Sequence, residues 1–432
     1  MKVCVAGLWH LGTVTASCLA AGGHRVTGFD FDAQTVAKLQ QGTPPLFEPG
    51  LTEQVRQGQA SSRLDFTSEP AVAFSGAEVV WIAYDTPIDL DDQADVEFVV
   101  DQAKRIFPFF ADGTTVVISS QMPVGSTRRL EIMFADLCPG KKVTFAYSPE
   151  NLRLGKAIQT FMMPDRVVVG LRNSESRELI AKLLRPYTTQ IEWMSVESAE
   201  MTKHALNAFL ASSITFINEL AVLCEGVGAD AKEVERGLKS ENRIGPKAYL
   251  SPGGSFAGGT LARDVSFLMH MGTKHGISTP LLSSVRVSNE VHKGWAQRKL
   301  LELLGDFKGK KIAVWGLAYK AGTDTLRRSS SVELCQRLVA LGALVQVHDP
   351  VVQSLPDDLM AAVTLHKTAE GAIVGAQALV VATEWPDYRT IDSDAVVALM
   401  RQANVIDANR FLAGTLGLDS RIRYAAVGKP TP

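Results

Sequence analysis

Three groups of residues in this chain of 432 have types and spacing that could do chemistry. The first follows the apolar run Lys2–Ala6 and reads Gly7-Leu8-Trp9-His10-Leu11-Gly12, with Asp30 closing the next run. Glycines at such a turn let the following helix present its N-terminus to a pyrophosphate, whose charge the helix dipole favours. A carboxylate about 20 residues on can accept from both ribose hydroxyls and would repel a 2′-phosphate, so NAD is favoured over NADP. The middle glycine of the GxGxxG fingerprint is Trp9 here, where glycine normally lets the backbone approach the phosphates. A strand-turn-helix without a ligand is the plainer alternative. The second group is Lys203 and Asn207, four apart in Ala199–Cys224, which holds no Gly or Pro and reads as one long helix. On their own, such residues are more often solvated. The third is the Gly-rich segment Ser251–Gly259, whose glycines tolerate unusual dihedrals and could wrap a ligand, with Asp264 soon after it.

These groups need elements to hold them, and the hydrophobic pattern supplies a plan. Residues 1–190 alternate short β-branched runs with helical patterns: Lys2–Ala6, His24–Phe29, Val79–Ala83, Thr115–Ser119 and Arg166–Val169. Alternation of this kind implies βαβ units and a doubly wound parallel sheet. It resumes at Lys310, with Lys311–Trp315, Ala343–His348, Ala378–Ala382 and Asn404–Ile406 as strands. The expected fold is α/β, two Rossmann-like domains (1–195 and 306–432) joined by a helical centre (196–305).

Composition narrows the class. A net charge of −2 with no basic stripe argues against nucleic acid, and no run approaches the roughly 20 uncharged apolar residues of a membrane span. Five cysteines, scattered without CxxC or Cys/His spacing, argue against a disulfide framework or structural zinc. No metal is expected, and the expected location is cytoplasmic.

Further motifs run the length of the chain: Leu46-Phe47-Glu48-Pro49-Gly50-Leu51, Thr86-Pro87, Pro123-Val124-Gly125, Ser148-Pro149-Glu150 and Pro164-Asp165-Arg166. Then come Ala199-Glu200-Met201-Thr202-Lys203 with Asn207-Ala208-Phe209-Leu210, Arg243-Ile244-Gly245, Ser251–Asp264, and Gly316-Leu317-Ala318-Tyr319-Lys320 with Thr323, Asp324 and Arg327. In this order they resemble the UDP-glucose/GDP-mannose dehydrogenase family over essentially the whole chain. The resemblance implies oxidation of a sugar primary alcohol to a carboxylate through two hydride transfers to NAD. Lys203 and Asn207 would polarise the reacting oxygen, with Asp264 and Glu150 handling protons. Cofactor contacts would come from Gly7, Trp9, His10, Leu11, Gly12, Asp30, Thr86, Pro87, Gln121 and Arg327, the last reaching the NAD diphosphate across a domain interface. A nucleotide sugar, UDP-linked by this resemblance, would meet Glu150, Leu152, Lys203, Asn207, Arg243, Gly253, Phe256, Gly258, Tyr319 and Lys320. A homodimer through the long helix is implied, with Ile214–Leu223 apolar enough to form it.

The departures concentrate on the chemistry. The family's cysteine nucleophile falls at Thr260, where a hydroxyl would need a dedicated base. Gln121 stands for a threonine and Leu154 for a second glutamate, and Trp9 for the middle glycine. Three readings follow. A dehydrogenase with an altered second step leads, with Thr260 in the position of the nucleophile. A transient-redox epimerase or dehydratase and a non-catalytic nucleotide-sugar binder are the alternatives.

Overall fold

The computed structural model describes residues 1–87 and 94–430, with the backbone alone of residue 358. Two compact units divide the chain, Met1–Ala205 and Leu206–Pro432.

The first unit is an eight-stranded sheet: β1 (Lys2–Ala6), β2 (Arg25–Phe29), β3 (Leu64–Thr67), β4 (Val79–Ile82), β5 (Thr115–Ile118), β6 (Thr144–Tyr147), β7 (Val167–Leu171) and β8 (Ile191–Met194). The spatial order is β3-β2-β1-β4-β5-β6-β7-β8, parallel except where β7 runs against β6. The centre of the sheet is covered on both faces. Val79–Ile82 and Thr115–Ile118 are buried at every position, as unbroken apolar runs in a doubly wound sheet must be. Chain order reverses between β1 and β4. That crevice, outside the carboxyl ends of the strands, is where open α/β sheets bind ligands. Helix α1 (His10–Ala21) starts at its floor, buried continuously from Leu11 to Ala20.

The second unit repeats the plan with six parallel strands: β9 (Lys311–Trp315), β10 (Leu344–His348), β11 (Thr364–Leu365), β12 (Ala378–Val381), β13 (Asn404–Asp407) and β14 (Arg423–Ala425). Their order is β11-β10-β9-β12-β13-β14, so the switch falls between β9 and β12. The α/β class with two doubly wound parallel sheets is therefore as the pattern implied. Each predicted strand is present within a residue or two of its expected ends. Five more (β3, β6, β8, β11 and β14) were not foreseen.

The long helix runs Val196–Val227, three residues further at each end than its Gly- and Pro-free stretch, and passes from the first unit into the second. By length and mean hydropathy (1.5) it could cross a bilayer, though 44% of that apolar window is buried inside the protein. Ala208 and Ala211 belong to a small core with Phe256, Val265 and Val285, as expected of a packed helix.

Candidate functional site

In the first unit the turn after β1 is fixed by sterics. Gly7 has φ +94°, and a Cβ there would lie 2.7 Å from the backbone of Tyr84 on β4's side of the crevice. A Cβ on Gly12 would meet the Gly7 carbonyl oxygen at 1.6 Å, so α1 can leave the turn only with glycine at both positions. Trp9 is the residue before α1 and offers no side-chain cap; its φ of −77° asks nothing of glycine, and the residue is 49% exposed. Asp30 ends β2 and accepts from Leu8 N at 2.8 Å, which ties the turn to the position expected of a ribose acceptor. These features make a cradle that a dinucleotide fits: two obligatory glycines, a helix start and an acid beside them.

Around it the structure adds partners that motif spacing does not show. His10 Nε2 lies 3.0 Å from Glu48, whose carboxylate also accepts from Gly155 N (2.8 Å) and Ala157 N (2.9 Å). Glu48 is nearly fully buried, and it joins the turn to the loop after Glu150. Thr86 Oγ1 donates to the Gln121 carbonyl at 2.7 Å, so these two expected cofactor residues are neighbours. Pro87, next to Thr86, is exposed at the end of the described segment.

Lys203 is 6% exposed, and its Nζ donates to the Glu150 carbonyl oxygen at 2.6 Å and lies 3.1 Å from the Glu150 carboxylate. That carboxylate also accepts from Leu152 N at 2.9 Å. An ammonium pinned by a main-chain oxygen and a carboxylate has one donor direction left for a ligand. One turn earlier, the buried Glu200 accepts from Gly125 N, Thr127 N and Thr127 Oγ1, fixing the helix against the Pro123-Val124-Gly125 loop. Leu154, standing for a carboxylate, is half-buried.

In the second unit Asn207 Nδ2 donates to Asp264, and both side chains are buried. Asp264 lies on the helix Thr260–Lys274, whose first residue is Thr260 and whose preceding residue, Gly259, has φ +104°. Thr260 is exposed at that helix start, one turn before Asp264. The Gly-rich loop is held by side chains that motif reading missed. Asn218 bonds Gly253 N and the Gly254 carbonyl, Asn289 bonds both polar atoms of the Phe256 backbone, and Asn409 accepts from Gly254 N at 2.7 Å. His292 bonds the Gly253 carbonyl at 2.8 Å.

That loop forms one wall of a cavity of about 850 Å³. Of the expected substrate residues, Gly253, Phe256, Tyr319 and Lys320 are among those that line it, and Gly258 is not; nor is Thr260. Lys239, Lys247, Lys293 and Arg337 also line it, and although Lys239, Lys293 and Arg337 are paired with Glu235, Glu290 and Glu333, cations of this kind suit a diphosphate. Glu384 is the acid among the lining residues, and burial pushes its carboxyl above the usual range. Arg243 is not drawn in: its side chain is 88% exposed and pairs with Glu241 at 3.1 Å. Arg327 is also exposed, on the turn before the helix Ser330–Ala340. No group of acid, His and Cys side chains that could hold a metal occurs among the described residues.

A dinucleotide cradle in one α/β unit, together with a buried lysine paired to a carboxylate, defines a nicotinamide-dependent oxidoreductase. Known proteins narrow that class. Residues 1–188 match the NAD binding domain of the UDP-glucose/GDP-mannose dehydrogenase family, residues 197–291 its central domain, and residues 313–414 its UDP binding domain. A UDP-glucose 6-dehydrogenase of Pseudomonas aeruginosa is 34% identical over 100% of this chain and 98% of its own length. One of Bacillus subtilis is 33% identical over 99% and 98%. The solved UDP-glucose dehydrogenase of Pyrobaculum islandicum superposes with a TM-score of 0.88 at 30% identity, covering 99% of this chain and 98% of that one. The chain belongs to the UDP-glucose/GDP-mannose dehydrogenase family. It is an NAD-dependent oxidoreductase acting on CH–OH donors, and its substrate is a nucleotide sugar.

Proposed function

We propose that this enzyme oxidises the C6 primary alcohol of a UDP-sugar such as UDP-glucose, and that its second step, aldehyde to acid, differs from that of a thiol-dependent enzyme. The observation that carries this reading is Thr260. It begins the helix that bears Asp264, where a nucleophile would meet the substrate, and it is a secondary alcohol. No other thiol can take its place, because all five cysteines are free and buried in packed cores. Burial raises Cys4 strongly and pushes Cys18 and Cys335 up to about 12, so these thiols stay protonated and inert.

NAD, when bound, accepts the hydride. Lys203, held by Glu150, directs its ammonium at the oxygen that gains negative charge as the alcohol is oxidised, an oxyanion-type role. Asn207 is kept in one rotamer by Asp264, and its remaining polar atoms serve as a second orienting group. Without a thiol, the aldehyde either leaves or is oxidised as its hydrate, with Glu150 or Asp264 activating water.

The test is stoichiometric. Purified enzyme with NAD and UDP-glucose should give about one NADH per aldehyde captured, or acid that forms slowly and without a covalent intermediate detectable by mass. Two NADH per acid at matched rates would overturn the reading, as would an isomerised sugar with no NADH. Thr260→Cys should raise acid formation by about tenfold or more, since a thiol is the better nucleophile.

We also propose a cytoplasmic homodimer through the long helix. Phe209 (70% exposed), Phe216 (51%) and Leu223 (63%) recur at intervals of seven on it, followed by Val227 (78%). Within the segment Ile214–Leu223, Ile217 is buried, so the exposed stripe rather than the whole segment is the mating face. Phe216→Lys should yield a monomer by light scattering; an unchanged mass would remove this face from consideration.

A further inference from the structure

We propose that Asp85 sets the cofactor affinity of this enzyme, because its carboxylate occupies the end of α1 that the diphosphate of NAD requires. The proposal rests on the first unit binding NAD. Asp85 follows Tyr84, the residue whose backbone closes over Gly7, so it stands at the crevice between β4 and β1. Its Oδ2 accepts from Leu11 N at 3.4 Å, in the first turn of α1. The first turn of this helix holds no acidic residue, and Trp9 before it provides no side-chain cap. Glu48 meets the His10 ring and Asp30 the Leu8 amide, whereas Asp85 accepts from an amide of the first turn itself. The partial positive charge of the helix start is therefore met from across the crevice by Asp85.

A diphosphate bound in the Rossmann manner uses the amides of the same helix end and the same dipole. The two anions cannot both occupy that end of α1. Binding must swing Asp85 aside or hold it as a like charge beside the phosphates, and either outcome opposes the ligand. Trp9 works in the same direction, since a side chain replaces the hydrogen that lets phosphates approach the turn. Asp30 is a separate matter. It accepts from Leu8 N and Asp32 N after β2, the position expected of a ribose acceptor.

The full-length protein and its D85N variant, which keeps the shape and removes the charge, are titrated calorimetrically with NADH, ADP-ribose and adenosine. NADH and ADP-ribose should bind the variant about tenfold more tightly, and adenosine, with no phosphate, within about twofold of the parent. The gain should shrink as salt is raised. Equal or weaker NADH binding by D85N overturns the proposal, because Asp85 would then be neutral towards the cofactor or a direct contact to it. An equal gain for all three ligands also overturns it, by showing a general change in the turn. If neither protein binds NADH or ADP-ribose at millimolar concentration, the NAD site itself fails; if the parent binds and D85N shows no gain, only the role of Asp85 fails.

Discussion

The turn after β1 and the turn after β9 begin alike and end in different work. Gly7 and Gly316 both have φ +94°, and both donate a backbone N–H to the last residue of the neighbouring strand, Phe29 or His348. Each is pressed against the end of the strand across the switch point: Tyr84 in one unit, Thr383 in the other. Each neighbouring strand is followed by an aspartate, Asp30 or Asp349. From here they diverge. After Gly7 a helix starts at His10; after Gly316 none starts until Ser330. Asp30 stays half-buried and accepts two backbone N–H groups, so oxygen lone pairs remain for a ribose. Asp349 is 4% exposed and accepts from Leu317 N, Ala318 N, Val351 N, Val352 N and the Trp385 indole. The same architectural position keeps oxygen lone pairs open in one unit and is an internal fastener in the other. Topology alone does not say which; the distribution of N–H donors does.

The sharpest way to break this comparison is to remove both acids. Asp349→Ala leaves five donors without their acceptor in a buried setting, and the second unit should lose roughly 3–5 kcal/mol. Urea unfolding followed by the fluorescence of Trp315 and Trp385 reads that loss directly. Asp30→Ala, with fewer and more exposed partners, should cost about 1 kcal/mol or less in stability. It should instead weaken NADH binding about tenfold and narrow the preference for NADH over NADPH. If Asp30→Ala unfolds the first unit as severely as Asp349→Ala does the second, the distinction between the two acids is void.

Much of the strand frame behind this difference could be read from the sequence, and the part that could not has a physical cause. The central strands β1, β4, β5, β9 and β12 are buried on both faces, so their apolar runs stand out without any alternation. β3 (Leu64-Asp65-Phe66-Thr67) and the two-residue β11 lie at sheet edges, too short or too mixed to separate from loops. The Gly7–Gly12 turn and Asp30 were legible because a dinucleotide cradle imposes local spacing. Asn218, Asn289 and Asn409 were not, because each acts on backbone atoms 33 to 155 residues away and belongs to no local pattern. Arg243 shows the reverse: a motif position whose side chain turns to Glu241 and to solvent. Asp85 was passed over because an acid before Thr86-Pro87 gains meaning only when β4 is seen beside β1.

The smallest expected effect concerns protons. Burial lowers His292 and His348 below the ordinary histidine value of 6.5, and each already has its ring bonded inside the second unit, to the Gly253 carbonyl and the Tyr388 hydroxyl. In the first unit His24 is lowered in the same way. A histidine kept neutral by the fold binds its proton more weakly than the unfolded chain does. Its stabilisation is therefore complete above about pH 6.5 and is lost as pH falls below it. With two such groups against one, the second unit should soften first as the medium is acidified from pH 7 to 5.5. The difference should amount to a few degrees in Tm between the two transitions. His292→Gln, which can still donate to Gly253, should flatten the second transition's pH dependence while leaving the first unchanged. A second transition whose pH dependence does not change in that variant would mean that the His292 contact at the Gly-rich loop contributes no proton linkage, and that acid sensitivity lies elsewhere in the unit.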